Sequence, residues 1–423
     1  MKQATPVSHT QPSTPAYPWL IILMSSLFLF YKYVLQVSPG VMTTELMQYF
    51  HLSAKDLGLM AAMYFNSYLA AQLISGPLLD YFGVRLISTL ALLTAAMGLI
   101  LFAHTSNFYL ACLGRALIGG GSAFATVSYL KLAAEWFPPR QFGLVSGLLT
   151  VSVMFGALGG QLPLAILIEQ HGWQHALSYC ALLGFAFAAL YFVIIRNTPP
   201  TAQHAQASQA FTWAGFWTVL KTPCNWFLML YNGLVFTPLT ILGTLWGNAF
   251  LHVAHGLSRN VGASIIGCLF VGLALGGPVW GWLADRYNKR YEVMYTALLL
   301  SFISLCTMLY VPHLSLLGLV LMMTLCGFGT SAVMLGFAIG RDVNPIALAA
   351  CVIALVNSGD ALLGSFSEPL VGFLLDQFAL HHQYTLGAYQ LALSTLPVVI
   401  ILAGLCLRAA QLKQARISTS TPA

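Results

Sequence analysis

Four ionisable side chains lie deep inside long apolar stretches of the sequence. Two are cationic, Lys32 in FYKYVLQVSPG and Arg115 in LGRALIGGG; two are anionic, Asp360 in NSGDALLG and Glu368 in SFSEPLVG. A charged group at the centre of a hydrocarbon layer costs about 2.5 to 3.5 kcal/mol or more, so such residues commonly have a function. Two kinds of chemistry suit them: recognition of a charged small molecule, and exchange of a proton between an acid and a base.

The two cations belong to the first half of the chain and the two anions to the second half. A zwitterion with its carboxylate on Lys32 or Arg115 and its ammonium on Asp360 would bridge the halves, and closing around it would be favourable in a low dielectric. The alternative is an internal Lys–Asp or Arg–Glu pair that only neutralises buried charge. Either pair could exchange a proton.

Several polar residues could line the same cavity. Lys32 lies about 21 Å along its predicted helix at 1.5 Å per residue, and Gln36, one turn further on, shares its face. Gln161, Tyr231 and Asn232 lie in other apolar stretches. As single residues such side chains often serve as contacts between helices, so both roles stay open for them.

The composition of the chain indicates that these residues lie inside a membrane protein. Of the 423 residues, 58% are hydrophobic and 7% are charged, whereas a soluble domain carries about 25% charged residues. A hydrocarbon core about 30 Å thick takes roughly 20 apolar residues per helical crossing. Hydropathy predicts an all-α integral membrane protein with twelve spans near residues 18–42, 54–75, 86–104, 107–131, 142–168, 173–195, 224–251, 258–280, 291–311, 314–340, 345–373 and 384–408.

The spans divide into two groups of six. We predict a cytoplasmic tail over 1–17, a six-helix bundle over 18–196, a cytoplasmic linker over 197–222, a second six-helix bundle over 223–408 and a second tail over 409–423. The linker contains TPPTAQHAQASQ, which is too polar for lipid. It continues into FTWAGFWTVLK, which is typical of an interfacial amphipathic helix.

The distribution of lysine and arginine fixes the predicted orientation. With both termini in the cytoplasm, the loops and tails on that side carry thirteen Lys and Arg, and the opposite side carries two, Lys55 and Arg259. Positive charge concentrates on the cytoplasmic side of membrane proteins. The thirteen are Lys2, Arg85, Lys131, Arg140, Arg196, Lys221, Arg286, Lys289, Arg290, Arg341, Arg408, Lys413 and Arg416.

One loop occurs twice. GPLLDYFGVR, residues 76–85, and GWLADRYNKR, residues 281–290, share the pattern Gly-x-Leu-x-Asp, and Asp285 lies 205 residues after Asp80. At the same offset Ser53 corresponds to Ser258, each placed to cap the helix that leads into the loop. The duplication indicates two parallel repeats related by an axis along the membrane normal.

This loop resembles the signature loop of the major facilitator superfamily, and the likeness extends over nearly the whole chain. It rests on Gly76, Asp80, Gly83 and Arg85, on Glu135 in EWFPPRQ, and on the second copy with Gly281, Asp285, Arg286, Lys289 and Arg290. Tyr81 departs from the family, which usually has a basic residue there. The resemblance implies the major facilitator fold of twelve helices in two bundles and makes the loop a cytoplasmic latch of the outward-open state.

The latch has a physical basis in the sequence. The eleventh span is predicted to begin at Asn344-Pro345, a cap followed by a first-turn proline, and a helix N-terminus carries partial positive charge. Asp80 near that terminus would join the two halves, with Arg85 and Glu135 completing a charge cluster.

The predicted function is secondary active transport of a small polar metabolite by alternating access. An amino acid or short peptide, taken up with protons, fits the mixed charges best. The chain also resembles bacterial phagosomal nutrient transporters and lysosomal dipeptide transporters. We expect a monomer in the bacterial inner membrane whose partners are its substrate, protons and lipid, with no nucleic acid, cofactor or metal.

The alternatives are proton-driven efflux of drugs or metabolites and a non-transporting membrane sensor. The glycines of the fifth span partly resemble the family's antiporter motif, but Gln161 follows Gly160 where that motif has proline. A sensor would need a soluble domain or long loops. An enzyme is the least favoured class, because no metal-ligand spacing, nucleophile elbow or phosphate loop occurs.

Overall fold

The computed structural model describes residues 16–197, 213–345, 348–380 and 383–420. Over these residues the regular elements are helices, together with one isolated bridge between Leu380 and Gln383. Most of the predicted N-terminal tail, the polar part of the linker and the last three residues lie outside the described residues.

Twelve helical spans make up the two halves. The first half contains α1 (Ala16–Val41), α2 (Ala54–Phe82), α3 (Val84–His104), α4 (Phe108–Trp136), α5 (Leu144–His171) and α6 (Trp173–Ile194); the second contains α7 (Pro223–His255), α8 (Arg259–Tyr287), α9 (Arg290–Tyr310), α10 (Leu316–Val343), α11 (Ala349–Phe378) and α12 (Leu386–Gln414). In the described chain, eleven of them, all except α11, are long and apolar enough to cross a membrane by length and composition. The 30 residues of α11 give it a length of about 45 Å, which also suffices.

Two shorter helices accompany the spans. Thr43–Phe50 follows α1, and Trp213–Lys221 leads into α7 where the linker helix is predicted. Of the two serines predicted to cap α2 and α8, one forms the expected hydrogen bond. The Ser53 side chain accepts from the backbone N–H of Asp56 at the start of α2, but Ser258 makes no side-chain cap hydrogen bond at α8.

Several spans are interrupted. The interruptions divide α4 into Phe108–Ser122 and Phe124–Trp136, α10 into Leu316–Thr330 and Val333–Val343, and the last span into Leu386–Leu393 and Thr395–Ser420. A helix over Pro139–Gly159 is followed by Leu162–His171 in α5, and α1 ends in the 3-10 turn Ser38–Val41. Glycine and proline occur at or beside several of these points, as is usual where helices break.

The interruption of α7 is of a different kind. Pro223–Thr240 passes into a π-helical turn over Ile241–Trp246 and then into Gly247–His255. Proline lacks the N–H that an α-helix needs, and Pro238 lies just before the turn. Single π-helical turns inside α-helices are rare and often lie at functional sites.

The two halves meet mainly where α2 packs along α11 and where α5 packs along α8. We call the end of the molecule that carries Asp80 and Asp285 the inner face, and the end that carries Ser53 and Ser258 the outer face. The inner face is the one that the positive charges predict to be cytoplasmic.

Candidate functional site

Lys32 of α1 lies in a cradle of two phenol rings. Its side chain is 4% exposed, and Nζ donates to the Tyr68 hydroxyl at 3.3 Å. The same Nζ is 4.4 Å from the ring centre of Tyr33 and 4.6 Å from that of Tyr68. Such rings stabilise a cation through their electron-rich faces, so the charge is held without a carboxylate in contact.

Asp360 of α11 faces Lys32 across the boundary between the halves. The two charges act on each other electrostatically, and Asp360 lies beside Thr240 of α7. Its Oδ1 atom is buried and has no hydrogen-bond partner among the described residues. Neither Lys32 nor Asp360 takes part in the ion pairs of the described chain. An opposite-charge pair separated in this way leaves both groups open to a ligand.

Arg115 and Glu368 form a second pair of the same kind, and they too interact across the halves. Arg115 of α4 is 2% exposed and Glu368 of α11 is 1% exposed. Arg115 Nη1 donates to the Leu35 carbonyl oxygen at 3.1 Å, and its Nε has no partner in the described chain. One carboxylate oxygen of Glu368 contacts the Thr244 hydroxyl, while the other is buried without a partner among these residues.

Tyr64 connects the two pairs. Its hydroxyl donates to Oε1 of Gln36 at 3.3 Å, and its ring stacks on Tyr68 with centres 6.1 Å apart. The guanidinium carbon of Arg115 lies 5.3 Å from the ring centre of Tyr64. The sequence analysis missed both tyrosines. Their spacing of four residues on the second span, which places them on one helix face, was the available signal.

The π-helical turn of α7 is a point of contact between the halves. Nε2 of Gln161 donates to the Gly243 carbonyl oxygen at 2.7 Å, and the Thr43 hydroxyl lies 3.0 Å from the Leu245 carbonyl oxygen. Between these carbonyls Thr244 contacts Glu368. Gln161, a predicted site residue, therefore binds protein backbone here.

Tyr231 and Asn232 of α7 have different surroundings. Tyr231 is fully buried against Gly336 and close to Tyr295, inside the second half. The structure thus places it away from the two charge pairs. Asn232 is 3% exposed with a buried, unpartnered Oδ1 in the described chain, and the adjacent Gly233 packs on the backbone beside Asp360.

At the inner face the first copy of the duplicated loop makes its contacts within its own half. Asp80 forms an ion pair with Lys131 of α4. The backbone N–H of Arg85 donates to Asn197 at 2.9 Å, and its Nε donates to the Phe192 carbonyl oxygen at 2.6 Å. Oε2 of Glu135 is buried without a partner among the described residues. The charge cluster of Asp80, Arg85 and Glu135 is therefore not assembled in this arrangement.

The glycines of the loop differ from one another. Gly83 has a φ of +83°, which favours glycine, and a Cβ there would strike the Asn197 side chain. Gly76 and its counterpart Gly281 have no atom within 4 Å of a Cβ position. No other part of the described chain therefore packs closely on Gly76 or Gly281.

The second copy is also tied to its own half. Arg290 forms an ion pair with Asp342 at the end of α10, and Lys289 pairs with Glu292 at 2.9 Å. Asp285 and Arg286 are exposed. Asp342, which the sequence analysis missed, lies 207 residues after Glu135 and so corresponds to it in the repeat.

The N-terminus of α11, the predicted partner of Asp80, also differs from the prediction. α11 begins at Ala349 rather than at Pro345, and Asn344 donates to the Gly340 carbonyl oxygen at 2.7 Å and to Asn225 at 2.8 Å. Asn344 is engaged with its own half, so it does not cap α11. The latch of the outward-open state stays a prediction.

At the outer face, by contrast, the halves are joined by hydrogen bonds that the sequence analysis missed. Oδ1 of Asp376, near the end of α11, accepts from the Ala54 backbone N–H at 3.0 Å and Oδ2 accepts from that of Lys55 at 2.9 Å. The Tyr384 hydroxyl accepts from the same Ala54 N–H at 3.1 Å and donates to Asp376 at 2.8 Å. We call this group, Asp376 and Tyr384 with the N–H groups of Ala54 and Lys55, the outer lock.

The Tyr384 phenol of the outer lock keeps its proton over a wide pH range. Burial, followed by the hydrogen bond to Asp376, raises the pKa of Tyr384 to about 12. The phenol thus stays a donor to the Asp376 carboxylate, which in turn completes the N-terminus of α2, where unpaired N–H groups favour an anion. Ion pairing of Glu45 with Arg259 also joins the halves at this face.

Comparison with known proteins gives consistent matches. The model of the Major Facilitator Superfamily matches residues 19–258 and 228–421. The chain is 24% identical to the uncharacterized transporter YybO of Bacillus subtilis, over 85% of this chain and 87% of YybO. It is 22% identical to the probable galactarate/D-glucarate transporter GarP of Escherichia coli K12, over 85% of this chain and 88% of GarP.

The fold resembles that of solved membrane transporters. A bacterial homologue of the human lysosomal transporter Spinster, solved inward-facing and unoccupied, superposes with a TM-score of 0.81 at 15% identity, over 96% of this chain and 99% of that one. The predicted all-α fold, the multi-pass topology and the class of secondary transporters rather than enzymes are confirmed. The chain belongs to the Major Facilitator Superfamily.

Proposed function

We propose that this transporter takes up a small carboxylate-bearing metabolite together with a proton across a bacterial cytoplasmic membrane. The favoured substrates are amino acids and short peptides. The observation that supports the proposal is the pair of buried, separated charge pairs, Lys32 with Asp360 and Arg115 with Glu368, each with its cation in one half and its anion in the other. A substrate that satisfies both charges of a pair also draws the halves together.

Lys32 would bind the substrate carboxylate. Its ammonium has three N–H donors, and the Tyr68 hydroxyl uses one. Asp360, whose Oδ1 lacks a partner in the described chain, would bind the substrate ammonium. Tyr33 and Tyr68 would exclude water from the carboxylate, which strengthens its attraction to Lys32.

Arg115 and Glu368 would serve proton coupling. Glu368 lies about 12 Å from Asp360 along α11, since it follows Asp360 by eight positions. A buried carboxyl that faces an arginine at a distance can be held in either protonation state at modest cost, whereas a direct ion pair would keep it charged.

A second candidate substrate is an organic diacid, favoured by the similarity to GarP, whose name specifies galactarate and D-glucarate. Such a substrate could engage Lys32 and Arg115 together. Asp360 would then have no ammonium to bind and would have to be protonated to avoid repulsion. Efflux, the alternative direction, would require the proton gradient to drive substrate outwards.

The test is transport into proteoliposomes with and without an inward proton gradient. Labelled amino acids, dipeptides and a sugar diacid are compared in the wild type, Lys32→Ala and Asp360→Asn, with Lys221→Ala at the exposed linker helix as control. We expect gradient-driven uptake of one class, loss in Lys32→Ala, and loss in Asp360→Asn only for zwitterionic substrates. Normal uptake by both variants, or gradient-driven substrate loss, would overturn the proposal.

A further inference from the structure

The Thr244 hydroxyl in the π-helical turn has two oxygen partners and only one proton. Its Oγ1 lies 2.5 Å from the Thr240 carbonyl oxygen and also contacts Oε1 of Glu368. A carbonyl oxygen can only accept, and a threonine hydroxyl has one O–H together with two lone pairs. If Thr244 donates to Thr240, the contact with Glu368 is a hydrogen bond only when Glu368 is protonated and donates to Thr244.

The surroundings of Glu368 agree with a neutral carboxyl. Arg115 on α4 is the charged group that faces it, with Tyr64 beside Arg115, yet Arg115 donates to the Leu35 carbonyl oxygen and not to Glu368. On α2 the backbone of Glu368 packs on Gly58. No direct cation contact therefore compensates a negative charge on Glu368 among the described residues.

Loss of this proton would change the π-helical turn. A Glu368 carboxylate can only accept, so Thr244 would have to turn its single O–H away from Thr240 and towards Glu368. The turn is also where the Gly243 and Leu245 carbonyls receive Gln161 and Thr43 from the other half. A rearrangement at Thr244 thus acts directly on the carbonyls that hold the halves together.

We propose that Glu368 is protonated in the outward-closed state and that its proton, through Thr244, sets whether the π-helical turn holds the halves closed. This inference rests on the proposed proton-coupled uptake and assigns the coupling residue and its mechanical link. Proton arrival at Glu368 closes the outer face; proton release turns the Thr244 hydroxyl from the Thr240 carbonyl oxygen to Glu368 and loosens the turn.

The experiment uses spin labels on the full-length protein in liposomes. Tyr109 and Leu317 are 79% and 68% exposed and lie at the outer ends of α4 and α10, so labelled cysteines at these two positions report the separation of the halves at that face. The eight native cysteines are first replaced, and retained uptake validates that background. The variants are Glu368→Gln, Thr244→Val and, as the conservative control, Thr244→Ser.

We expect the wild type and Thr244→Ser to shift from long to short distances as the pH falls. Glu368→Gln, whose amide donates permanently, should stay short at every pH and lose both substrate exchange and gradient-driven accumulation by about ten-fold or more. Thr244→Val should lose the pH response. If Glu368→Gln follows pH as the wild type does, the inference is wrong.

Infrared spectroscopy detects the proton of Glu368 in the wild-type protein, and two variants assign the band. A carbonyl band of a protonated carboxylic acid should accompany the short-distance state and vanish with it, persist in Asp360→Asn and be missing in Glu368→Gln. A carboxylate in the short-distance state would overturn the assignment. If the wild type shows no gradient-driven uptake, the proposed function itself fails; if uptake is normal in Glu368→Gln, this inference and the coupling role of Glu368 fail while proton-driven uptake by the protein stands.

Discussion

At the scale of single residues, Lys32 shows how a cation can be stored for a ligand. Its charge lies against the rings of Tyr33 and Tyr68 and one hydroxyl, and no carboxylate of the described chain forms an ion pair with it. Cation–π contacts contribute about 0.5 to 2 kcal/mol each. The lysine is thus held in position while its charge remains available.

Tyr68→Phe tests this arrangement. The substitution keeps the ring but removes the hydroxyl that accepts from Lys32, a bond of about 1 kcal/mol inside a membrane protein. We expect the apparent KM for the substrate to rise about five-fold with little change in maximal rate, measured from the concentration dependence of uptake. Tyr109→Phe, at a 79% exposed position, is the matched control. An unchanged KM in Tyr68→Phe would mean that Lys32 is positioned by the rings alone.

The sequence predicts the charged residues of the site better than their neighbours. Lys32, Arg115, Asp360 and Glu368 are recognisable because an ionisable group in an apolar span is costly, and the structure pairs them as cation and anion across the halves. Tyr231 is polar and equally deep, but faces Tyr295 inside its own half. Helical periodicity predicts how deep a residue lies in the membrane and which residues share its helix face. It does not predict which neighbouring helix that face contacts.

At the scale of helices, α2 and α11 approach each other closely near Glu368. A Cβ added to Gly58 would lie 2.6 Å from the Glu368 carbonyl oxygen, so only glycine allows this backbone contact. α2 and α11 belong to different halves. Their contact must therefore open whenever the outer face opens.

Gly58→Ala should shift the molecule towards the open outer face. Overpacking of this kind costs about 1 to 3 kcal/mol in the packed state, and that state is the closed one. We expect longer distances between the outer spin labels at Tyr109 and Leu317, and slower transport at normal expression. Gly120→Ala, where a Cβ meets nothing within 4 Å, should leave both unchanged. An unaltered distance in Gly58→Ala would show that the interface adapts without opening.

Gln161→Leu probes the π-helical turn. The change removes the bond to the Gly243 carbonyl oxygen, worth about 1 kcal/mol, and should shift the outer equilibrium about five-fold towards open in the same distance measurement. Gln390 donates in the same way to the Leu309 carbonyl oxygen, but within one half. Gln390→Leu should therefore reduce thermal stability without moving the equilibrium. Equal opening in both variants would count against the turn as a link between halves.

The π-helical turn of α7 could not be predicted from the sequence. The hydropathy of ILGTLW is that of an ordinary membrane helix, and the change from α- to π-helical bonding depends on contacts from Gln161, Thr43 and Glu368, which are distant in the chain. The same holds for the start of α11. Asn344 and Pro345 form a good local cap, but Asn344 bonds with Asn225 of α7 instead.

At the scale of the whole molecule, the two faces differ in how they use their charges. At the inner face Asp80 pairs with Lys131 and Arg290 pairs with Asp342, each within one half. At the outer face Asp376 and Glu45 bind residues of the opposite half. In the described chain, bonds between the halves are thus found at the outer face. The duplicated loop can be recognised in the sequence because it occurs twice. The residues of the outer lock form no repeated motif, so the sequence analysis could not predict them.

Replacing Asp376 should unfasten the outer face of the whole molecule. Asp376→Ala leaves the N–H groups of Ala54 and Lys55 without their carboxylate, and hydrogen bonds to a charged group contribute about 1.5 to 3 kcal/mol. We expect the closed population to fall by ten-fold or more, seen as long distances between Tyr109 and Leu317 labels. Asp376→Asn, which keeps one oxygen acceptor, should have an intermediate effect.

The pH dependence of the wild-type outer lock can be predicted from Tyr384. Because Tyr384 keeps its proton up to a pH near 12, deprotonation of this phenol should not reduce the closed population between pH 6 and 10.

Asp56 supplies the control for the Asp376→Ala prediction, because it lies in the first turn of the same helix and bonds with Ser53 of its own half. Asp56→Asn disturbs the N-terminus of α2 and removes no hydrogen bond to the second half, so it should lower thermal stability while the distance distribution stays short. If it opens the outer face as far as Asp376→Ala does, then the stability of the α2 terminus, and not the bond between halves, governs closure. The two variants together separate a local helix cap from a fastening that acts on the entire molecule.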